Sequence, residues 1–214
     1  MSADRSHDFD RLWDYRTCVG ELYRELRDGH ARADVPAAEL CRRFRQRRDA
    51  LFASHPQSAL NVAQRSAFRG LEYFDHDASL RLQLPIDTDV EPEVLEFHLS
   101  EDGLVRAQRF GRVRFPIAGR ACTLSLFWLL GYGGGVFLPF RDATGERDTY
   151  GGGRYLLDTI KQADLGRVGD RVVIDFNFAY NPSCAYNPRW VCPPSPDENS
   201  LAVPIRAGEK VFRE

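Results

Sequence analysis

Along this chain the spacing of apolar residues changes once, from steps of three and four to steps of two, and does not change back. Phe9, Leu12, Trp13, Val19, Leu22, Tyr23 and Leu26 recur at helical spacing over residues 8–28, with Gly29 as the expected stop. A second helix is expected from the Asp34-Val35-Pro36 cap region to about Ser54, where Leu40, Cys41, Phe44, Leu51 and Phe52 form the apolar stripe. After His55-Pro56 comes a polar connection with room for one more helical turn, and then alternation takes over. Strands are expected at 70–74, 80–86, 93–99, 104–110, 112–117, 120–130, 136–141, 153–158, 171–180 and 201–206. Turns between them fall at Ser100-Glu101-Asp102-Gly103, Ala118-Gly119, Ala143-Thr144-Gly145 and 166–170. Strands this closely spaced, with no helix between them, predict an antiparallel sheet closed or folded over as a β-barrel or β-sandwich. The expected fold is therefore α+β, mainly β, with the two helices of residues 8–54 packed on a β core over 68–210. No linker or low-complexity tract divides the 214 residues, so a single domain is expected.

Apolar residues make up 43% and charged residues 28%, a balance that excludes a disordered or fibrous chain. The net charge of −2 supplies no field for phosphate backbones or anionic lipid, so neither nucleic acid nor membrane is expected as a partner. The basic run Arg42-Arg43-Phe44-Arg45-Gln46-Arg47-Arg48 reads as the solvated face of the second helix. The polar opening Met1-Ser2-Ala3-Asp4-Arg5-Ser6-His7-Asp8 lacks the apolar core of a signal peptide, which points to the cytoplasm. The odd number of cysteines, at 18, 41, 122, 184 and 192, fits a reducing compartment in which free thiols are the default.

Chemistry concentrates in one stretch. On the strand Arg171 to Tyr180, Val172, Ile174, Phe176, Phe178 and Tyr180 share one face, while Val173, Asp175, Asn177 and Ala179 share the other. Asp175 and Asn177 either face water on a half-buried strand or, since neighbouring segments such as 121–130 are apolar on both faces, line a cavity. The following segment, 181–196, is rich in proline and asparagine and cannot be helix or central strand. Tyr186 and Trp190 give it apolar surface with which to dock on the sheet and close one end of such a pocket. Seven residues separate Cys184 from Cys192, which is not the spacing of a structural zinc site, and no histidine follows His98. No metal is therefore assigned. As a nucleophile Cys184 would need a base or cation, with His7, His30, His55, His76 and His98 the available histidines. Tyr-Gly-Gly-Gly recurs at 132–135 and 150–153 but matches no phosphate-loop pattern, so tight turns are expected there. Asp142, Arg154, Tyr155 and Asp158 supply polar groups at the sheet end, either for a ligand or as a plain ion pair.

The segments 137–144, 149–156 and Asp175 to Tyr186 together resemble the domain-of-unknown-function family numbered 1684. The likeness extends upstream through Arg47-Arg48-Asp49, His55-Pro56-Gln57-Ser58 and Gly70 to Phe74, and downstream through Cys192-Pro193, Asn199 and Ala207-Gly208-Glu209. Ala59 stands where the family has proline, and Asp77-Ala78-Ser79 where it has Asp-Pro; both are turn positions. The resemblance implies no established activity, and it assigns neither a catalytic residue nor a cofactor.

The residues favour a small-molecule-binding β domain with Asp142, Arg154, Tyr155, Asp175, Asn177, Tyr180 and Asn181 around a polar pocket. One alternative is a hydrolase or thiol-dependent enzyme with Cys184 as nucleophile and Asp175 as orienting or proton-transfer group. Another is an interaction module with no small ligand, whose sign would be an exposed apolar patch.

Overall fold

The computed structural model describes residues 4–99 and 103–213. The opening Met1-Ser2-Ala3 and most of the turn expected at Ser100-Glu101-Asp102-Gly103 lie outside the described residues. Three helices come first, α1 (Asp4–Arg32), α2 (Ala37–Ser54) and α3 (Val62–Ala67). Nine strands follow: β1 (Arg81–Pro85), β2 (Val94–Leu99), β3 (Gly103–Ile117), β4 (Arg120–Leu129), β5 (Gly135–Asp142), β6 (Arg154–Asp158), β7 (Arg167–Val168), β8 (Arg171–Asp175) and β9 (Ser200–Leu201). Strands β2 to β6 form an antiparallel meander in chain order, with β9 added parallel to β5, while β1, β8 and β7 form a second antiparallel sheet. The chain is thus α+β and mainly β, as the single change of period predicts. No helix among the described residues is long and apolar enough to cross a membrane.

The two sheets curl about one core made by Val113, Phe115, Leu124, Leu126, Leu138, Phe140, Val172, Ile174 and Phe176. A second apolar cluster lies on the reverse side of β8, where Val173 and Phe178 meet Leu22, Tyr23, Leu26, Leu40, Cys41 and Phe44 of α1 and α2. β8 is therefore covered on both faces, and every residue from Val172 to Ala179 is buried. Each large apolar side chain so buried stabilises the fold by about 1.5–3 kcal/mol before chain entropy is counted.

Several expectations need correction. Helix α1 runs through Gly29, because α2 packs so close there that a Cβ would stand 2.7 Å from Leu40 Cδ2. Its first turns carry their apolar residues outward, with Phe9 70% and Trp13 73% exposed. Residues 70–74 contribute a single bridge, Tyr73 to Glu209, instead of a strand. The expected strands 104–110 and 112–117 are one strand, β3, with a bulge between Arg109 and Gly111. The expected strand 171–180 ends at Asp175, whose side chain accepts the Asn177 N–H and starts the 3₁₀ turn Phe176–Phe178. That turn sends Phe176 to the inter-sheet core and Phe178 to the helix side, so the expected alternation ends there. The strand expected at 201–206 shortens to β9, and β7 forms within a segment read as a turn. Finally, Arg48 is not on the solvated face of α2: it is buried.

Candidate functional site

Two irregular segments, 176–196 and 202–213, cross the ends of the sheets and bring the polar residues of the sequence together in separate clusters. Asp142 and Arg154 form an ion pair of 2.8 Å in which both side chains are 1% exposed. Arg154 also donates to the carbonyls of Ile205, Ala207 and Glu209, and its guanidinium lies over the Phe140 ring. Asp142 Oδ1 accepts the Thr144 N–H and hydroxyl and the Ile205 N–H. A guanidinium presents five donors in a fixed fork, and here that fork staples the C-terminal segment to the β5–β6 corner.

Asp175 and Asn177 lie at the other sheet. Asp175 Oδ1 accepts the Asn177 N–H at 2.9 Å and Nδ2 at 2.8 Å. Asn177 in turn clamps the main chain of Asp77, accepting its N–H and donating to its carbonyl. Asp175 Oδ2 stands 3.7 Å from Arg81 Nε, and neither atom has a hydrogen-bond partner. Burial pushes the Asp175 carboxyl above the usual range, opposed by the two Asn177 hydrogen bonds and then by Arg81.

Asn181 and Tyr186 serve a third cluster. The buried Glu209 carboxylate takes Arg48 Nε at 2.6 Å on one oxygen, and on the other the Asn181 N–H and the Tyr186 hydroxyl. This centre was missed in the sequence although a signal was there. Cys41, Phe44, Arg48 and Phe52 are spaced by three, four and four, which puts Arg48 on the apolar stripe instead of the solvated face.

Between these clusters lies Cys184, in the 3₁₀ turn Ser183–Ala185 that follows Pro182. Its Sγ is 3.6 Å from the Tyr150 hydroxyl, and Cys192 is the neighbour that acts most strongly on its thiol. Both cysteines are half-buried and free. Tyr150 is held by the turn that follows it: Gly153 N–H donates to the Tyr150 carbonyl, and the Gly152 carbonyl accepts from the Ser195 N–H. Gly153 has φ +96, and a Cβ there would stand 2.7 Å from the Phe140 carbonyl oxygen, so the third glycine of Tyr150-Gly151-Gly152-Gly153 is required by backbone geometry. Beneath, Tyr155 donates its hydroxyl to the Pro193 carbonyl and packs edge-on against Tyr180. The aromatics of segment 181–196 dock, but on the helical side and not on the sheet as expected: Trp190 Nε1 donates to the Ala59 carbonyl, and Tyr186 packs on Phe52 of α2 and on Phe212.

The bond from Cys192 and then that from Tyr150 lower the Cys184 thiol to about 6, against the opposing effect of burial. Cys192 is raised, first by its bond to Cys184 and then by burial. Tyr150 is raised to about 12, first by burial and then by Cys184. No hydrogen bond or ion pair joins a histidine to Cys184 among the described residues: His55 meets Asp14 at 3.0 Å, His30 packs against Phe178, His98 lies in β2, and His76 precedes Asp77, whose main chain Asn177 clamps.

The residues expected around one polar pocket are thus divided. Asp142 and Arg154 lie in one cluster, Asp175 and Asn177 in another, Asn181 at Glu209, and Tyr155 and Tyr180 beneath the cysteines. Clefts of about 210 Å³ between α1 and α2 and about 440 Å³ beside α3 lie apart from all seven. Among the described residues no group of three or more His, Cys, Asp or Glu side chains is placed to share a metal ion.

No curated protein matches the chain. The solution NMR structure of an uncharacterized protein of Haloarcula marismortui is similar, with 32% sequence identity and a TM-score of 0.55 over 79% of this chain and 91% of that one. The model of the family described as protein of unknown function, DUF1684, matches residues 66–210, and the chain belongs to that family.

Proposed function

We propose that this protein is a thiol-dependent oxidoreductase in which Cys184 attacks and Cys192 resolves. One observation carries the reading: the half-buried Cys184 thiol stands 3.6 Å from the Tyr150 hydroxyl, with a second free and half-buried thiol, Cys192, lowering its pKa. The depressed Cys184 makes the thiolate its main form at neutral pH, and Tyr150, raised to about 12, keeps its proton to donate to that thiolate.

The Cys184 thiolate attacks one sulfur of a substrate disulfide, forming a mixed disulfide and expelling the other sulfur as a thiolate. The charge that raised Cys192 is then gone. Cys192 loses its proton and attacks Cys184 Sγ, releasing the second substrate thiolate and leaving a Cys184–Cys192 disulfide. Two electrons pass from the cysteine pair to the substrate, which leaves as two thiols.

The test is equilibration in glutathione buffers of graded ratio, with acid quenching, alkylation and mass spectrometry of the peptides. A 184–192 disulfide should form reversibly, Cys192→Ser should accumulate a mixed disulfide on Cys184, and Cys184→Ser should show neither. Absence of that disulfide at every ratio sinks the reading.

A second reading keeps a small polar ligand at Asp175 and Asn177, and one observation favours it: Asp175 Oδ2 and Arg81 Nε are buried, 3.7 Å apart and without hydrogen-bond partners. Native mass spectrometry of protein purified from its source should then show a retained molecule that Asp175→Asn loses. Equal masses for the ligand-stripped and untreated protein would exclude it.

A further inference from the structure

We infer that the cleft between α3 and the C-terminal segment binds a small aromatic anion. It is separate from the cysteine pair and does not rest on the redox reading. Its volume, about 440 Å³, is within the range of small-molecule sites. Phe68 and Phe212 supply its aromatic surface, and both rings are held from behind: Phe68 stacks on Phe52 with ring centres 6.3 Å apart, and Phe212 packs edge-on against Tyr186 at 5.4 Å. A ligand entering there meets rings whose freedom folding has already removed, so little further ordering is needed.

Charge gives the cleft its preference. Arg69 and Arg213 line it, and neither has a carboxylate partner among the described residues. Each spends one N–H on a main-chain carbonyl, Arg69 on Phe68 and Arg213 on Arg147. On the second helix Arg42 and Arg43 share Glu39, Arg47 meets Glu25 and Arg48 meets Glu209, whereas Arg45, Arg65 and Arg189, like the two arginines of the cleft, donate to main-chain carbonyls. Glu72 is the one acidic side chain of the cleft, so its arginines leave a net positive charge. The wall carrying Arg69 is fixed in place. Asp49 accepts the Leu71 N–H, the Glu72 carbonyl accepts from Lys210, and Phe74 N–H donates to the Gly208 carbonyl. Two unpaired guanidinium groups beside two fixed rings match a phosphate, sulfonate or carboxylate carried on a single aromatic ring.

Phenyl phosphate is the probe, with inorganic phosphate and benzyl alcohol as the charge-only and ring-only comparisons, followed by calorimetry and by two-dimensional NMR of the intact chain. Phenyl phosphate should bind at least about tenfold more tightly than either comparison, and should shift the amide signals of 68–72 and 211–213. Arg69→Gln and Arg213→Gln should each weaken it about tenfold, with the NMR spectrum of the free protein otherwise preserved. Cys184→Ser should bind as the wild type does, which separates this site from the redox proposal. Equal binding of benzyl alcohol, unaltered affinity in both arginine variants, or amide shifts confined to other regions would overturn the inference.

Discussion

Replacing Arg48 by methionine tests the buried centre that holds the cysteine-bearing turn. The Arg48 and Glu209 side chains are 8% and 1% exposed, and their closest atoms are 2.6 Å apart. Removing one partner of a buried pair costs about 3–5 kcal/mol, because the other charge is left desolvated and alone. Two features hold the cost of Arg48→Met near the lower end. The Glu209 carboxylate keeps the Asn181 N–H and the Tyr186 hydroxyl, and methionine retains apolar contact with Phe52, over which the guanidinium now lies at 4.7 Å. A loss of about 3 kcal/mol is expected, a large part of a total stability of about 5–15 kcal/mol, so the variant should still fold. Glu209→Gln should cost about as much, since it strands the guanidinium instead. The double variant strands neither charge, so it should lose at least about 1.5 kcal/mol less than the sum of the two single losses. Urea denaturation with an unchanged m-value is the assay. Single losses below about 1 kcal/mol, or strict additivity, would show that the two groups are solvated in the folded protein and would refute the reasoning.

Phe176→Ala should cost about 3–5 kcal/mol, because the ring is 0% exposed and lies edge-on to Phe140 in the inter-sheet core; a loss well under 1 kcal/mol on denaturation would place it at the surface. Gly208→Ala should destabilise by more than Gly119→Ala. Both glycines have positive φ, near +75 and +76, but a Cβ at Gly208 would stand 2.6 Å from the Ala179 carbonyl oxygen whereas the one at Gly119 meets nothing within 4 Å. The left-handed backbone alone costs about 1–2 kcal/mol, and equal losses in the two variants would contradict the close approach. Alkylation of Cys184 by iodoacetamide should rise with pH through a midpoint near 6, because the lowered thiol is a thiolate above that value. In Cys192→Ala the main cause of the lowering is gone, and the midpoint should move up towards the ordinary thiol value of about 8.5. A wild-type midpoint already there would sink the pairing.

How far the sequence discloses such a molecule depends on whether a residue's role is set by its neighbours along the chain or across it. The helical and alternating periods are local, and they identify α1, α2 and most of the meander. Asp175 shows where that stops: the alternation runs through Tyr180, yet an acidic side chain that accepts an N–H two residues on ends the strand, and the apolar residues beyond it divide between two cores. Gly29 shows the converse, since a residue that reads as a helix stop is kept inside the helix because another helix packs against it.

The same distinction separates the candidate sites. Asp142, Arg154, Asp175 and Asn177 stand out in the sequence as polar among apolar neighbours, but burial alone does not say whether such a group meets a ligand or the main chain. The Arg154 fork answers for itself by ending on Asp142 and three carbonyls of a segment some fifty positions away, a pairing that no local pattern carries. Cys184 differs because its partners are few and its surroundings half open, with Tyr150 and Cys192 brought in by two irregular segments that share no hydrophobic period with it. A group whose polar atoms mostly end on its own chain, as those of Arg154 and Asn177 do, is most simply explained by folding. A nucleophile left between one hydroxyl and one thiol, with a face towards solvent, retains chemistry that folding does not use, and for that reason the redox test belongs at Cys184 ahead of the more deeply buried polar residues.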